Sequence, residues 1–415
     1  MKNILMIGFH FPPSAHSSGH LRFLAFTKYL PSLGWNPIVL TASGNVYERS
    51  DPQSTDTIPH GTTVHRAYAL DARRHMGFRG RYPSVFARPD RWISWWPTAV
   101  LSGLRIMGRQ RIHAIWSTYP IMTAHVVAHT LSRVKGTPWV ADFRDPVASS
   151  VAGQDGGTIA SQLRWERRII SHAACSVFTT PGATQLCARH YPDAFGEGRV
   201  SCIPNGYDEE DFAGLENGQP SGHGGPLHFV HGGVLYPEGR NPARFFEALG
   251  ELKRTGALKA SDIRVTLRAS GSEDVYAEQI KRFGITDLVT LAPYLPYKDA
   301  LAEQSAADGL LLFQGERYDH QIPAKVYEYL RLGRPILGLV GENGDTATLL
   351  REAGGAVTAP LDSASAIAVK FMEFFDLVKR SRNGMPSSAD VQRYSRRHAT
   401  QLLAGLLDRV CADEK

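Results

Sequence analysis

Two charged residues, Lys325 and Glu328, stand three apart in the stretch 320–335, HQIPAKVYEYLRLGRP. On a helix that starts after Pro323 they share a face, and Lys325 falls in the first turn. A cation there opposes the helix macrodipole, and a bound phosphate would reverse that penalty. Glu328 differs: a carboxylate accepts two hydrogen bonds and suits a vicinal diol such as that of a ribose. A solvated helix face is the alternative for both.

Two other places could hold an anion. His231-Gly232-Gly233 ends a strand, and paired glycines permit positive φ and close backbone approach. Seven residues on, Arg240 could make bidentate bonds to a diphosphate or be an ordinary surface arginine near a turn. Ser17-Ser18-Gly19 opens a helix. Gly19 leaves the N-terminal N–H groups accessible, while either serine could simply cap them.

Asp142 and Asp145 close the strand 139–142. Either could hold a hydroxyl or act as a base, or the four residues 142–145 could form a local ion-paired turn. His10 and His16 follow the first strand and could face the same substrate or water. The segment RPDRWISWWPTAV (88–100) sets Arg88 and Arg91 beside Trp92, Trp95 and Trp96. That mixture suits a membrane surface or a polyisoprenyl-pyrophosphate group, or tryptophans packed under a long loop. Walker A, GxGxxG, HExxH and GxSxG patterns are absent, no Asp-x-Asp pair stands out at a strand end, and the four cysteines lack metal-ligand spacing.

The elements that must position these residues alternate along the chain. Strands are expected at 4–8, 37–41, 63–66, 114–117, 139–142, 176–180 and 200–203. Helices are expected at 19–33, 99–107, 121–134, 161–171 and 182–190. Residues 213–226, AGLENGQPSGHGGP, read as a flexible linker. After it come strands at 227–231, 263–268, 289–291, 309–313 and 335–340. Helices at 241–254, 274–283, 297–306, 324–332 and 345–352 separate them, and a closing helix spans about 397–411. No element is assigned between 353 and 396. The pattern predicts two doubly wound α/β domains with parallel sheets, facing each other across a cleft that holds the ligand. Domain boundaries follow: 1–212, the linker, 227–395, and a C-terminal helix at 396–415.

Charge is placed unevenly. Of the net charge of +6, residues 1–215 carry +7 and the remainder −1, and ten arginines lie between 66 and 111 against Asp71 and Asp90 alone. Such a field favours anionic partners; nucleic acid fits poorly because no recognised binding motif accompanies it. No apolar run approaches the length of a membrane span, and the N-terminus reads as a strand rather than a signal peptide. A cytoplasmic protein is expected, with the inner face of the membrane as a peripheral station.

FHFPPSAHSSGHLRFLAFTKYLPSLGWNPIVLT, PWVADFRD, CIPNGYDEEDF, HGGVLYPEGRNPARFFEAL and IPAKVYEYLRLGRPIL occur in that order over most of the chain. Together they resemble bacterial family-4 (GT4-like) retaining glycosyltransferases of the GT-B fold. The resemblance implies a nucleotide-sugar donor, UDP-, GDP- or ADP-linked, held mainly by the C-terminal domain. It implies a glycan or polyisoprenyl-pyrophosphate-linked acceptor, retention of configuration, and no cofactor or metal. Glu328 matches the second Glu of the family's Glu-x7-Glu motif, which binds the ribose. Arg240 and Lys325 match positions near the donor diphosphate, and Gly19 matches its N-terminal glycine loop. With Asp142 on the acceptor side, Arg240 and Lys325 are the catalytic candidates; Gly232, Gly233 and His320 complete the donor set. Two positions depart from the pattern: His320 stands where the motif has its first Glu, and Val234 where a second basic residue is common. A sugar-nucleotide 2-epimerase and a non-catalytic sugar-nucleotide-binding protein are the competing readings.

Overall fold

The computed structural model describes all residues except 15–18, 76, 78–86, 148–154, 195–197, 216–224, 381–388 and 413–415. Ser17, Ser18, His16 and most of the expected linker therefore lie outside the described residues. The chain divides into two units, 1–205 with 396–415, and 206–395.

The first unit is built on seven parallel strands: β1 (Lys2–Ile7), β2 (Trp35–Ala42), β3 (Thr63–Ala67), β4 (Ala114–Thr118), β5 (Trp139–Arg144), β6 (Cys175–Phe178) and β7 (Val200–Cys202). Their order is β3-β2-β1-β4-β5-β6-β7. Successive residues of β1 serve opposite faces, as the strand period demands. Leu5 and Ile7 join a core with Ile38, Leu40, Trp95 and Leu131; Ile4 and Met6 join another with Phe23, Phe26 and Trp116. Both faces are buried, which explains why the central strands are almost continuously apolar. The helices are α1 (Gly19–Tyr29), the four-residue α2 (Ala72–His75), α3 (Trp95–Arg109), α4 (Met122–Lys135), α5 (Gly156–His172) and α6 (Pro181–His190).

The second unit repeats the design with six strands: β8 (Leu227–Gly232), β9 (Ile263–Arg268), β10 (Val289–Ala292), β11 (Gly309–Phe313), β12 (Ile336–Leu339) and β13 (Ala356–Ala359). The order β10-β9-β8-β11-β12-β13 reverses direction between β8 and β11, where open α/β sheets receive ligands at the carboxyl ends of their strands. Its helices are α7 (Ala243–Arg254), α8 (Glu273–Arg282), α9 (Tyr297–Ala306), α10 (Ala324–Leu332), α11 (Asp345–Ala353) and α12 (Ala364–Arg380). Strand β13 and helix α12 fill the interval left unassigned above. Phe371 and Phe374 of α12 pack on Phe229 of β8.

The division differs from the expected boundaries in two ways. Residues 206–212 belong to the second unit, because Tyr207 and Phe212 pack in its core with Tyr327 and Leu330, and Glu209 pairs with Arg331. The closing helix α13 (Arg396–Ala412) is no separate segment: it completes the first unit. Leu403, Leu406, Leu407 and Val410 enter the core of Phe26 and Trp116, and Asp408 meets Lys2 at 2.7 Å. Its apolar stripe needed a partner face, and the sheet side carrying α1 supplied it.

Candidate donor site in the second unit

Strand β8 delivers Gly232 and Gly233 to the reversal point. Gly233 takes φ +108°, a region L side chains rarely adopt, and a Cβ there would lie 2.9 Å from the Lys325 Nζ. A Cβ on Gly232 would lie 2.5 Å from the Gln304 Nε2. Gly233 is thus required by its backbone angle, and both glycines let the ends of the Lys325 and Gln304 side chains approach the backbone closely. Lys325, in the first turn of α10, donates from Nζ to the Gly232 carbonyl at 2.6 Å. The buried Tyr329 hydroxyl accepts from the Gly232 N–H at 3.3 Å.

Burial, then repulsion from Arg240, pushes the Lys325 pKa down to about 7, against the pull of Glu328. The same surroundings act on His231. Burial first and Lys325 second hold its pKa well below the usual value, so the ring is neutral. It lies 2.8 Å from the Leu311 carbonyl and 3.1 Å from that of Gly233, bracing the loop.

Arg240 is set by two aromatic rings. Its guanidinium lies 5.6 Å from the ring centres of both Tyr236 and Tyr318. The turn that carries Tyr318 is tied back by the Gly315 N–H donating to the Gly239 carbonyl at 2.7 Å. Gly239 has φ +94°, and a Cβ would strike the Tyr318 ring at 2.6 Å. The Arg240 Nε is buried without a hydrogen-bond partner among the described residues. A buried donor left unmet costs free energy unless a ligand meets it.

Glu328 lies one turn beyond Lys325 and accepts from the Tyr297 hydroxyl at 2.8 Å. His320 sits between the Tyr318 turn and α10. Burial lowers its pKa and Asp345 opposes the shift. Thr346 and Gln314 pin this loop: the Thr346 hydroxyl donates to the Gln314 side-chain carbonyl at 2.8 Å and, in an alternative geometry, to the Gln321 carbonyl at 3.0 Å. The structure therefore groups Gly232, Gly233, Arg240, Lys325 and Glu328 on β8, the loop after it and α10. His231, Tyr236, Tyr318 and Tyr297 were not among the sequence candidates. For His231 the signal was its place beside the paired glycines; for the tyrosines there was none.

The remaining candidates belong to the first unit. Gly19 is the first residue of α1. Asp142, expected to hold a hydroxyl or act as a base, is fully buried and committed elsewhere. Arg22 of α1 donates from Nε to its Oδ2 at 2.9 Å, and from Nη2 to Oδ1 at 3.4 Å. Trp95 is fully buried too, so it presents nothing to a membrane. Trp96 is 40% exposed, with its indole N–H on the Thr130 hydroxyl, and Arg91 stacks on Trp92 at 4.3 Å. No helix among the described residues is long and apolar enough to cross a membrane.

Residues 20–206 match the glycosyl transferase 4-like domain family. That match lies in the first unit, and the two sheets with their flanking helices have the GT-B fold. No curated protein matches the chain significantly. Among solved structures, the chain is similar to sucrose-phosphate synthase from Thermosynechococcus elongatus, at 14% identity over 100% of both chains with a TM-score of 0.67. It is similar to Anabaena HepE in complex with UDP, at 15% identity over 99% of this chain and 100% of that one, with a TM-score of 0.63. A third is the lipopolysaccharide outer core galactosyltransferase WaaB, at 11% identity over 98% and 99% of the two chains, TM-score 0.65. At these identities the likeness concerns the fold.

Proposed function

We propose that the chain is a glycosyltransferase that takes its sugar from a nucleoside diphosphate sugar bound by the second unit, and passes it with retention to a glycan or lipid-linked hydroxyl in cell-surface polysaccharide or glycolipid synthesis. The observation that carries the reading is the pair Arg240 and Lys325. Two cationic side chains converge beside a glycine-only backbone, and each destabilises the other in the absence of an anion. A diphosphate would relieve that repulsion and meet the orphaned Arg240 Nε. As the sugar–phosphate bond breaks, the same groups stabilise the charge developing on the leaving diphosphate, so the protein's own cations serve where a metal otherwise would. Glu328 would take the two ribose hydroxyls. The HepE structures hold UDP and UDP-glucose, which supports a nucleotide-sugar donor here; the likeness to WaaB, a lipopolysaccharide outer core galactosyltransferase, supports a lipopolysaccharide-type acceptor.

Incubation with UDP-, GDP- and ADP-sugars, with and without polyisoprenyl-pyrophosphate-linked acceptors, tests the reading through nucleotide release. Glu328→Ala lowers affinity for the preferred nucleotide about 10–100-fold, as expected from losing two hydrogen bonds to a charged acceptor. Unchanged turnover in that variant refutes the ribose assignment.

Binding is also pH-dependent, with a definite sign. A bound diphosphate favours charged Lys325, whose pKa in the free protein is about 7. Nucleotide affinity therefore falls as pH rises above 7. Calorimetry near pH 8 shows proton uptake on binding, read from the dependence of the heat on buffer ionisation enthalpy. Free-protein stability moves the other way: Lys325 binds its proton less tightly folded than unfolded, so its contribution to stability grows as pH rises from 7 towards the unfolded-state value.

A further inference from the structure

Helix α9 begins at Tyr297, and its start is fixed from several sides. Pro293 and Pro296 lie in the loop that leads to it from β10, and each ring sets its own φ. Arg268, the last residue of β9, ties that loop to the helix. Its Nη1 donates to the Pro293 carbonyl at 2.9 Å. Its Nε and Nη2 form a two-pronged pair with the Glu303 carboxylate, Nε meeting Oε2 at 2.9 Å. The Ala300 N–H donates to the Pro296 carbonyl at 2.9 Å, closing the first turn. Leu301 of α9 shares a core with Val326 and Tyr329 of α10. The Tyr297 side chain is thus carried by a backbone that is held on both its loop and its helix side.

That side chain is 40% exposed, yet its hydroxyl stands against two carboxylates of the same unit. It donates to the Glu328 Oε1 at 2.8 Å and lies 3.3 Å from the Asp211 Oδ2. One phenol proton serves one acceptor at a time, and the shorter contact is with Glu328. Neither α10 nor the turn 209–212 depends on this hydroxyl for its place. Glu209 pairs with Arg331 of α10, and Phe212 packs in the core of Tyr327 and Leu330. What the hydroxyl does fix is the Glu328 carboxylate. It also sets a proton between two like charges that repel each other. A glutamate side chain loses rotamer freedom when it is held, and a ligand that finds it already held does not bear that loss.

We infer that Tyr297 is a positioning residue for the nucleotide: by holding Glu328 it presents that carboxylate, already oriented, to the two ribose hydroxyls, and so enlarges the preference for a ribose over a ring that lacks them. This rests on the ribose role of Glu328 proposed above. Tyr297 acts through Glu328 alone, so its effect vanishes when either the carboxylate or the diol is taken away. A tyrosine that merely supported the loop after β10 would affect every nucleotide alike, whatever its sugar.

Calorimetry on the full chain tests this with whichever of UDP, GDP and ADP binds wild type most tightly, and with the 2′,3′-dideoxy form of the same nucleotide. Wild type, Tyr297→Phe, Glu328→Ala and the double variant are compared. Tyr297→Phe keeps the ring and removes only the hydroxyl. It is expected to weaken the ribonucleotide about 3–10-fold, the scale of one hydrogen bond. The dideoxy form keeps its wild-type affinity, and the substitution has no further effect in the Glu328→Ala background. Equal weakening of both ligands marks a role in local structure alone and overturns the assignment. Unchanged ribonucleotide affinity, or additive losses in the double variant, overturn it as well. If Glu328→Ala abolishes the preference for the ribonucleotide and Tyr297→Phe does not reduce it, the positioning role alone falls. If Glu328→Ala leaves the preference intact, the ribose role of Glu328 falls and this assignment with it. Failure of wild type to bind any of the three nucleotides overturns the donor reading as a whole.

Discussion

Replacing Arg240 by alanine lowers sugar transfer about 10²–10³-fold, the usual cost of deleting one preorganised donor to a developing anion. The fold survives. The two cation–π contacts with Tyr236 and Tyr318 contribute roughly 0.5–1 kcal/mol each at a partly exposed position. Their loss is offset by relief of the repulsion that Arg240 exerts on Lys325. The thermal midpoint of the free protein therefore moves by no more than a few degrees. A second readout separates function from structure: UDP raises the melting temperature of wild type and loses most of that effect in Arg240→Ala, because only a ligand that binds the native state stabilises it. A variant with full nucleotide protection would show that Arg240 does not meet the diphosphate.

The second large effect concerns stability. Asp142→Ala leaves Arg22 buried, its side chain 7% exposed, with only the carbonyls of Ile203 and Pro204 as partners. Removing one member of a buried ion pair costs about 3–5 kcal/mol. Chemical denaturation followed by tryptophan fluorescence reports the first unit, which holds Trp35, Trp92, Trp95, Trp96, Trp116, Trp139 and Trp165, all of the chain's tryptophans. The midpoint shifts to lower denaturant, while UDP binding by the second unit persists under native conditions. Had Asp142 served in catalysis, as its place at a strand end suggests, the variant would lose transfer with little loss of stability.

The contrast between these residues shows what a sequence discloses. Gly232, Gly233, Arg240, Lys325 and Glu328 were legible as a group because they lie close in sequence to the end of one strand and the start of one short helix. The roles of Asp142 and Asp145 were not. The partner that commits Asp142 is Arg22, 120 residues away, so nothing in ADFRD says which carboxylate is spoken for. The same limit applied to folding units. Most strands and helices were legible from their apolar period, including β9, β11, α9 and α10 to the residue. Helix α12 was left unassigned, although Ile367, Phe371, Phe374, Phe375 and Val378 stand at helical spacing. Strand β13 was not legible: four residues between Gly355 and Pro360 look like a turn, and only pairing with β12 makes them a strand. Glycine and proline content marks residues 213–226 as loose chain, yet composition cannot say which unit a loose chain belongs to. Tyr207 and Phe212 decide that by where they are buried.

Helix α13 gives the chain an order of assembly. The second unit is an insertion: its ends come together where the Tyr207 N–H donates to the Tyr394 carbonyl at 3.2 Å, so residues 206–395 can close on themselves during synthesis. The first unit, although begun first, waits for its last helix. Until residues 396–412 emerge from the ribosome, the face formed by Phe26, Leu30 and Trp116 has no cover, and the unit is exposed to aggregation for the time taken to translate the whole insertion. A fragment ending near residue 205 should therefore be insoluble, whereas 206–395 expressed alone should fold and bind nucleotide.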